Sequence, residues 1–320
     1  SKSIIHIFHL HDIVNLFAMK NYLNPHVSVI IPTYNRANLV TYAIDSVLAQ
    51  TYKNYEIIVI DDGSTDNTFK LLNPYMDRIV YIYQENKGKS NALNKALMKA
   101  RGTWIAFLDS DDRWLPEKLE WQIQALEKYN PYCGACFTNG TFFGSPSLSE
   151  STIFRISQKN FSEPIGIIDK PTEYVLNAPH GIYVPTLNVK SELIRQINGF
   201  DENMPVAEDT DFIFRLSLVT KFCFVNIALV FIDRTPKREV GLIETFTQKP
   251  DIALYVKQHM YQKWLKIIGQ TNFKARKIIV RRLQEVHDQW FKLYLKKSEY
   301  KKALQSLIKS IMLRFFKIHG

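Results

Sequence analysis

This chain of 320 residues contains only three cysteines, which are too few for the disulfide framework of a small secreted protein. Cys133 and Cys136 have the CxxC spacing of a zinc site, but no second pair of ligands follows at a suitable distance. Because they lie in apolar stretches, as Cys223 does, we expect all three to be buried thiols. The low cysteine content suits a protein of the reducing cytoplasm.

Long hydrophobic runs and glycine-rich phosphate loops are also missing. The longest strongly apolar run, residues 222–232, is too short to cross a bilayer as a helix. The turn after the first predicted strand contains no glycine, which excludes the dinucleotide-binding fingerprint, and no P-loop motif is present. Any phosphate group must therefore be held in another way.

Charge is unevenly distributed along the chain. The net charge is +10, but residues 251–320 contain 16 Lys and Arg against 4 Asp and Glu, whereas the other 250 residues contain 25 and 27. Such a basic region predicts an anionic partner, for example a membrane surface or nucleic acid, or else a solvated helical face. The composition, 46% hydrophobic and 22% charged, is globular, and the length suits one large α/β domain with an appendage.

The first part of the chain alternates between strand and helix patterns. Continuous apolar runs at 27–31, 56–60, 79–83 and 104–108 are typical of buried strands, and helical periodicity separates them. This alternation predicts right-handed crossovers and an α/β fold with a Rossmann-like, mostly parallel, doubly wound sheet.

The pattern is less regular farther along the chain. We predict a strand over 135–143, a loop-rich stretch over 144–170, and helices near 172–177 and 208–219. After about residue 240 the chain is predicted to be helical and basic to its end.

Polar residues cluster where the predicted strands end. The letters PTYNR follow the first strand, DDGSTD the second and DSDD the fourth, at the sheet edge where α/β proteins bind ligands. Asp109, Asp111 and Asp112 offer hard oxygen ligands for Mg²⁺ or Mn²⁺, and such an ion can neutralise a diphosphate leaving group. Surface turns are also rich in Asp, so this cluster by itself is a weak indication of a metal site.

Four segments, at 27–36, 59–68, 102–114 and 198–216, resemble the motifs of glycosyltransferase family 2 in their order and spacing. They read VSVIIPTYNR, VIDDGSTDNT, GTWIAFLDSDDRW and NGFDENMPVAEDTDFIFRL. The resemblance covers about 25–235. It implies the GT-A fold and the transfer of a sugar from a nucleotide-diphosphate donor.

The resemblance also implies a division of the chain and a reaction. We expect an N-terminal extension over 1–24, a GT-A catalytic domain over 25–240 and a basic helical C-terminal region over 241–320. The implied reaction is an inverting displacement, assisted by Mn²⁺ or Mg²⁺, from a UDP-sugar to a hydroxyl of a glycan or a lipid-linked glycan.

The roles of family residues carry over to matching positions. Pro32, Tyr34 and Asp62 are implied to line the pocket for the base and ribose, with Asp62 accepting a hydrogen bond from the base. Asp109 and Asp111 match the Asp-X-Asp motif of the family. Asp109 is implied to contact the donor, and Asp111 to be the principal metal ligand.

Asp209, in the EDTD segment, matches the general base of the family, which takes the proton of the acceptor hydroxyl. Two alternatives stay open: Glu208 is the better base if the register is off by one, and Asp209 fits an N-cap of the helix that begins here. Lys89, in the segment GKSNALN, resembles the processive branch of the family and is implied to contact the diphosphate.

Two departures from the family pattern matter. The Gln-x-x-Arg-Trp motif and the transmembrane helices of processive polymerases are missing, which favours an enzyme that adds a single sugar. Many members carry Arg-x-His after the last catalytic strand, with the His helping to bind metal, whereas residues 232–237 contain no His and so lack that ligand.

Acceptor contacts are expected from the irregular part of the chain, at 177–186 and 234–241. His180, Tyr183 and Arg234 are the candidates there, and His180 equally fits a structural histidine of the loop.

The basic C-terminal region invites a membrane hypothesis, because basic residues beside apolar and aromatic ones suit an anionic interface. The alternative is a helical appendage packed on the catalytic domain or on a second subunit. The residues concerned are Lys274, Arg276, Lys277, Arg281 and Arg282 around Ile278, Ile279, Val280 and Leu283, followed by Trp290 and Phe291.

The leading hypothesis is therefore a cytoplasmic glycosyltransferase that contacts the inner membrane face through its basic helices. A rival is a non-catalytic nucleotide- or glycan-binding relative, which would have no need for Asp62, Asp111 and Asp209 together. A nucleic-acid binder is not expected, because no recognition motif is present.

Overall fold

The computed structural model describes residues 25–145, 148, 151–178, 180–204, 206–235, 249–270 and 272–316. The N-terminal extension predicted over 1–24 lies outside these ranges, as do residues 236–241 of the predicted acceptor loop. Within the described ranges a central sheet carries the hydrophobic core, and three long helices follow it.

The described strands form one mixed sheet. In chain order they are β1 (Val27–Thr33), β2 (Tyr55–Asp61), β3 (Val80–Tyr83), β4 (Trp104–Phe107), β5 (Arg113–Trp114), β6 (Cys133–Phe143), β7 (Ile165–Ile168), β8 (Leu187–Lys190) and β9 (Lys221–Asp233). Their order across the sheet is β3–β2–β1–β4–β8–β6–β9–β5, and β7 also pairs with β9.

The first half of the sheet is parallel, as the alternating pattern predicts. β1 pairs in parallel with β2 and β4, and β2 with β3. All seven residues of β1 are buried, as expected of a strand covered on both faces. The helices α1 (Ala37–Leu48), α2 (Thr68–Leu72) and α3 (Lys89–Leu97) connect these strands.

The second half of the sheet is mixed. β8 lies antiparallel between β4 and β6, and β5 and β7 are antiparallel to β9, whereas β6 and β9 are parallel. The predicted parallel arrangement therefore holds for β1 to β4, which crossover helices join, and the second half departs from it. The helices of this half are α4 (Lys118–Lys128), α5 (Ile153–Ile156), α6 (Pro171–Asn177), α7 (Ser191–Gln196) and α8 (Glu208–Ser217).

The stretch predicted as loop-rich contains two short elements, α5 and β7. Thr152 caps α5 by accepting a hydrogen bond from the backbone of Arg155 at 3.3 Å, and β7 is held by its pairing with β9. Four-residue elements are too short for periodicity to reveal, and their partners are distant in sequence. The three cysteines are buried free thiols, as predicted.

The C-terminal helices are α9 (Pro250–Ile268), α10 (Phe273–Lys296) and α11 (Tyr300–Phe316). In the part of the chain that the structure describes, no helix combines the length and hydropathy of a membrane span. α9 packs its Met260 and Trp264 against Phe214 of α8 and Ile279 of α10, so this region shares a core with the catalytic part.

The structure corrects the predicted membrane-facing surface of α10. Ile279, Val280, Leu283 and Trp290 are buried, so these apolar side chains pack inside the protein and do not share an exposed face with the neighbouring basic residues. For these residues the alternative of a packed appendage is the correct one. The helical period places basic and apolar residues on opposite sides of α10, which their proximity in sequence conceals.

Candidate active site

The loops that follow β1 and β2 lie side by side at one edge of the sheet. Thr33 O accepts a hydrogen bond from Asp62 N at 2.9 Å. Asn35 N donates to Ser64 Oγ at 2.9 Å, and Asn35 Oδ1 accepts from Thr65 N at 2.8 Å. These bonds join the PTYNR and DDGSTD segments into one wall at the carboxyl ends of the strands, where ligands of such sheets bind.

Two donor-pocket candidates at the end of β1 differ in exposure. Pro32 is buried in the strand, opposite Ile60 of β2. Tyr34, just beyond the strand, has 47% of its surface exposed. Pro32 therefore shapes the wall, and Tyr34 presents a ring that a ligand can reach.

Asp62 is buried and holds the next loop in place. Its Oδ1 accepts hydrogen bonds from Gln84 Nε2 at 2.7 Å and Lys87 N at 2.9 Å, and its Oδ2 accepts from Gly88 N at 2.9 Å. This structural role was not expected from the sequence. Each carboxylate oxygen can accept more than one hydrogen bond, so these bonds do not prevent Asp62 from also contacting a nucleotide base. That contact stays a prediction.

Two glycines make this arrangement possible. Gly63 and Gly88 have φ angles of +84° and +89°, which L side chains rarely adopt. A Cβ at Gly63 would lie 2.7 Å from Asn86 N, so the DDGS turn can approach segment 84–88 only with glycine there.

Lys89, the first residue of α3, joins two acidic motifs. Its Nζ lies 2.7 Å from Asp109 Oδ1 and 3.7 Å from Glu208 Oε1. Burial by itself lowers the pKa of Lys89, but attraction to Asp109 and Glu208 outweighs it and raises the pKa above its usual value. The charged ammonium thus links the turn after β4 to the start of α8.

The DSDD turn concentrates negative charge. Burial, followed by repulsion from Asp109 and Asp111, raises the pKa of Asp112 well above its usual range. Asp112 Oδ1 accepts a hydrogen bond from Asp233 N at 2.9 Å, and the nearby Arg234 offsets part of the repulsion. Carboxyl groups this close together favour the binding of a cation.

The donor set of this turn fits a divalent metal only in part. Among the described side chains, no group of three or more His, Cys, Asp and Glu is arranged to hold an ion by itself. Mg²⁺ is commonly held by one or two carboxylates together with substrate phosphates, and Asp109 and Asp111 have the right chemistry for this. The residues therefore fit an ion whose coordination a diphosphate completes.

α8 begins at Glu208, and the residue at its N-cap is Ala207, which makes no side-chain capping bond. The alternative reading of Asp209 as the N-cap is therefore wrong. Asp209 lies in the first turn, where its Oδ1 accepts hydrogen bonds from Thr210 N at 2.6 Å and Thr210 Oγ1 at 3.1 Å. Ala207 has φ +59° and ψ +22°, and strained backbone of this kind is often found at functional sites.

Glu208 and Asp209 have different surroundings. Glu208 is 8% exposed, and burial raises its pKa despite the attraction of Lys89. Asp209 is only partly buried. A carboxylate that meets an acceptor hydroxyl must be reachable, so the geometry favours Asp209 over Glu208 as the base.

A buried charge network holds α8 from behind. Asp211 is fully buried and accepts hydrogen bonds from Arg215 Nε at 2.7 Å, Lys263 Nζ at 2.8 Å and Trp264 Nε1 at 3.0 Å. Lys263 Nζ also lies 2.6 Å from Asp201 Oδ2. Because Lys263 and Trp264 belong to α9, the C-terminal helices fix the helix that presents Asp209.

Two of the three acceptor candidates come together. The Arg234 guanidinium lies 5.4 Å from the centre of the Tyr183 ring. Burial raises the pKa of the Tyr183 phenol, and the opposing effect of Arg234 does not cancel this rise. His180 is exposed, and no contact described for it joins it to this group.

Amide side chains connect the two sides of the site. Gln84 donates to Asn91 Oδ1 at 3.1 Å, and Asn91 donates to Glu202 Oε2 at 2.8 Å. Asn94 donates to Glu202 Oε1 at 2.9 Å and bonds the backbone of Phe200 in both directions. α3 thereby ties the loop around Asp62 to the NGFDE segment that leads to α8.

Comparison with known proteins agrees with this geometry. The model of the family described as Glycosyl transferase family 2 matches residues 28–176. The protein named uncharacterized glycosyltransferase RT0329, from Rickettsia typhi, is 32% identical over 278 residues, which cover 76% of this chain and 84% of that protein. The chain belongs to glycosyltransferase family 2. It is a transferase, and the rival reading as a non-catalytic relative is dropped.

A second relative is more similar over a shorter region. The UDP-Glc:alpha-D-GlcNAc-diphosphoundecaprenol beta-1,3-glucosyltransferase WfgD of Escherichia coli is 48% identical over 114 residues, which cover 35% of this chain and 44% of that protein.

Solved structures confirm the GT-A fold. The structure of S. aureus TarS 1–349 in complex with UDP-GlcNAc aligns with a TM-score of 0.69 and 20% identity, over 90% of this chain and 81% of that one. The mannosyltransferase PcManGT of Pyrobaculum calidifontis, in complex with GDP-Man and Mn²⁺, aligns with a TM-score of 0.53 and 19% identity, over 94% and 82%.

Sequence reasoning missed the supporting residues of this glycosyltransferase site. Asn94 and Glu202 lie in segments with several polar letters, and nothing in their local pattern indicates that they meet. The partners of Asp211, Lys263 and Trp264, look like ordinary residues of a basic amphipathic helix. The sequence hinted at this network only through the run of acids at the start of α8.

Proposed function

We propose that this enzyme transfers a sugar from a UDP-sugar to a hydroxyl of a glycan carried on a lipid diphosphate, with inversion at the sugar carbon. The observation that carries the proposal is the position of Lys89, which contacts both Asp109 of the DSDD turn and Glu208, the neighbour of Asp209. A donor-side cation and an acceptor-side carboxylate beside one another are what a single displacement needs.

In this mechanism Asp209 accepts the proton of the acceptor hydroxyl. The hydroxyl oxygen forms a bond to the sugar carbon as the bond from that carbon to the diphosphate breaks, and the electron pair leaves with the diphosphate. Lys89 donates hydrogen bonds to the departing phosphate oxygens, because its ammonium is already held charged at the end of the sheet. Tyr34 and the wall around Asp62 orient the nucleotide.

A divalent cation is proposed at the DSDD turn, held by Asp111 with Asp109 beside it. When bound, Mg²⁺ or Mn²⁺ supplies charge neutralisation at the leaving diphosphate. We expect Asp111→Ala to weaken Mn²⁺-dependent donor binding by at least about 10-fold, because losing a ligand should cost no less than losing an outer partner of a ligand. Asp77→Ala, at an exposed turn, is the control. Unchanged Mn²⁺ dependence would remove Asp111 from the site.

The choice of UDP and of a lipid-linked acceptor rests on relatives. The name of WfgD specifies UDP-Glc and a diphosphoundecaprenol acceptor, and the segment it shares with this chain is 48% identical. TarS, which shares the fold, was crystallised with UDP-GlcNAc.

Tyr183 and Arg234 are proposed to contact the acceptor, because they lie against one another and the charge of Asp209 acts on the Tyr183 phenol. His180 stays a weaker proposal on its exposed loop. We further propose the division into an extension over 1–24, a catalytic domain over 25–240 and a helical region over 241–320, with the enzyme in the cytoplasm and in peripheral contact with the inner membrane face.

The direct test is thermal unfolding with UDP, GDP, CDP and dTDP, each with and without Mn²⁺. A ligand that binds only the folded state raises the melting temperature. We expect a metal-dependent shift with UDP that exceeds the shifts with the other three. A larger shift with another diphosphate would overturn the choice of UDP, and shifts independent of Mn²⁺ would overturn the metal. The matching sugar panel then goes into a transfer assay with a lipid-linked acceptor.

A further inference from the structure

A groove of about 470 Å³ lies between α9 and α10 and is lined by none of the residues of the site described above. Its floor is apolar and includes Ala253, Leu254 and Leu293. Leu254 belongs to a small buried cluster with Val286 and Trp290, so the floor is backed by packed side chains and keeps its shape.

Three lysines, Lys257, Lys292 and Lys296, line the same groove, and among the residues that the structure describes no carboxylate lines it. All three side chains are exposed, and none forms an ion pair with any acid among the described residues. Other lysines of these helices are paired: Lys263 meets Asp201 and Asp211. The groove therefore presents uncompensated positive charge above an apolar surface.

We propose that this groove binds the phosphate headgroup of an anionic membrane lipid. The lysines would contact the phosphate, and the apolar floor would contact the first carbons of the lipid. Free phosphate would not contact the apolar floor. A nucleic acid would find no aromatic ring among the described lining residues on which its bases could stack. A second copy of the chain would bring like charges together. An anionic amphiphile satisfies both parts of the groove.

The groove differs from the membrane surface predicted over 274–283 of the sequence. There Ile279, Val280 and Leu283 are buried, whereas in the groove the partly exposed Ala253 and Leu293 border the same open space as the lysines. Lipid binding by the groove stands independently of the proposed reaction. Its benefit, holding the enzyme where a lipid-linked acceptor lies, rests on the proposed function.

The test is co-sedimentation of the full chain with vesicles of phosphatidylcholine alone and of phosphatidylcholine with one-fifth phosphatidylglycerol. The variant K257Q/K292Q/K296Q removes the three groove charges. The control K53Q/K70Q/K99Q removes three exposed lysines from the catalytic part, so net charge changes equally. A second control, L304Q/I308Q, alters exposed apolar residues of α11. Melting temperatures check that each variant is folded.

We expect the wild type to bind vesicles only when phosphatidylglycerol is present. The groove variant should bind on the order of 100-fold more weakly, as expected for three basic residues beside an anionic surface, and each control less than about threefold more weakly. Equal loss in the lysine control would mean that net charge alone drives binding. Loss only in L304Q/I308Q would assign the contact to α11. Either result, or an unaffected groove variant, overturns the proposal.

A second measurement separates the lipid from other anions. Short-chain phosphatidylglycerol below its micelle concentration should raise the melting temperature of the wild type but not of the groove variant. Inorganic phosphate or an RNA oligonucleotide that reproduces this difference would contradict the assignment to a lipid. Because neither assay uses sugar transfer, a failed proposal here leaves the proposed reaction untouched, and the reverse also holds.

Discussion

The two sides of the active site are held together in different ways. On the donor side, the loops after β1 and β2 and segment 84–88 hold one another through hydrogen bonds within about one quarter of the chain, centred on Asp62. On the base side, α8 depends on Lys263 and Trp264 of a helix that lies far along the sequence. Local motifs specify the first side, and a distant helix stabilises the second.

The two sides should respond differently to amino-acid substitutions. A substitution on the donor side should disturb nucleotide binding directly, because the same residues shape the pocket and its wall. A substitution in the network behind α8 should leave the donor pocket intact and alter the chemistry through the position of Asp209.

The largest effect is expected for Asp209→Asn. An amide cannot take the acceptor proton, so the transfer rate should fall by about 10²- to 10⁴-fold, the usual contribution of a positioned general base. The UDP-dependent rise in melting temperature should survive, because the donor side is untouched. Glu208→Gln is the matched variant. If it loses more activity than Asp209→Asn, the base is Glu208.

Asp62→Ala should break the donor side. It leaves the buried donors of Gln84, Lys87 and Gly88 without their acceptor, which we expect to lower the free energy of unfolding by about 3 kcal/mol. Donor binding, measured by calorimetry with UDP, should become undetectable while the protein still folds. Asp77→Ala, with its side chain 78% exposed, should change neither quantity. Retained UDP affinity would show that segment 84–88 does not depend on Asp62.

Lys263→Met tests the base side. Asp211 stays buried but loses one charged partner, which we expect to lower the free energy of unfolding by about 3 kcal/mol. Through the shifted α8, kcat should fall by about tenfold with the donor KM unchanged, in line with the cost of small misplacements. Lys263→Arg should restore part of the loss, and Lys266→Met is the control on the same helix. A raised donor KM would contradict the separation of the two sides.

The smallest effect concerns the pH dependence at Glu208. Burial raises the pKa of this carboxyl above 4.5, so the folded state holds the proton more tightly than the unfolded state does. Stability from this group is full at low pH and is lost as the pH rises through the folded pKa. Glu208→Gln cannot ionise, so its melting temperature should rise relative to that of the wild type as the pH increases from 4 to 7. Exposed Glu85→Gln should show no trend.

Much of the donor side could be predicted from the sequence. The runs at 27–31 and 56–60 are strands β1 and β2, and the polar letters after them meet at one edge, because parallel strands joined by crossover helices end together. The start of α8 near residue 208 was also predicted, although its N-cap was not, since Ala207 carries no capping side chain.

The C-terminal region was predicted less well. Its helices and its charge follow from composition and period, but these do not say whether the apolar face of α10 packs inside the protein or meets a membrane. In the structure α9 and α10 pack against α8, so the apolar face of α10 that was predicted to meet a membrane is buried in the core. Lys257, Lys292 and Lys296 come together only because α9 and α10, which follow one another in the chain, leave a groove between them.

The sequence by itself determined the family, the parallel half of the sheet and the acids that border its edge, because these depend on short motifs and on periods of two and 3.6 residues. The tertiary structure alone decided that Lys89 joins Asp109 to Glu208 and that Lys263 and Trp264 hold Asp211. Those contacts link residues far apart in the chain, and their energies depend on burial and distance, which no local pattern encodes.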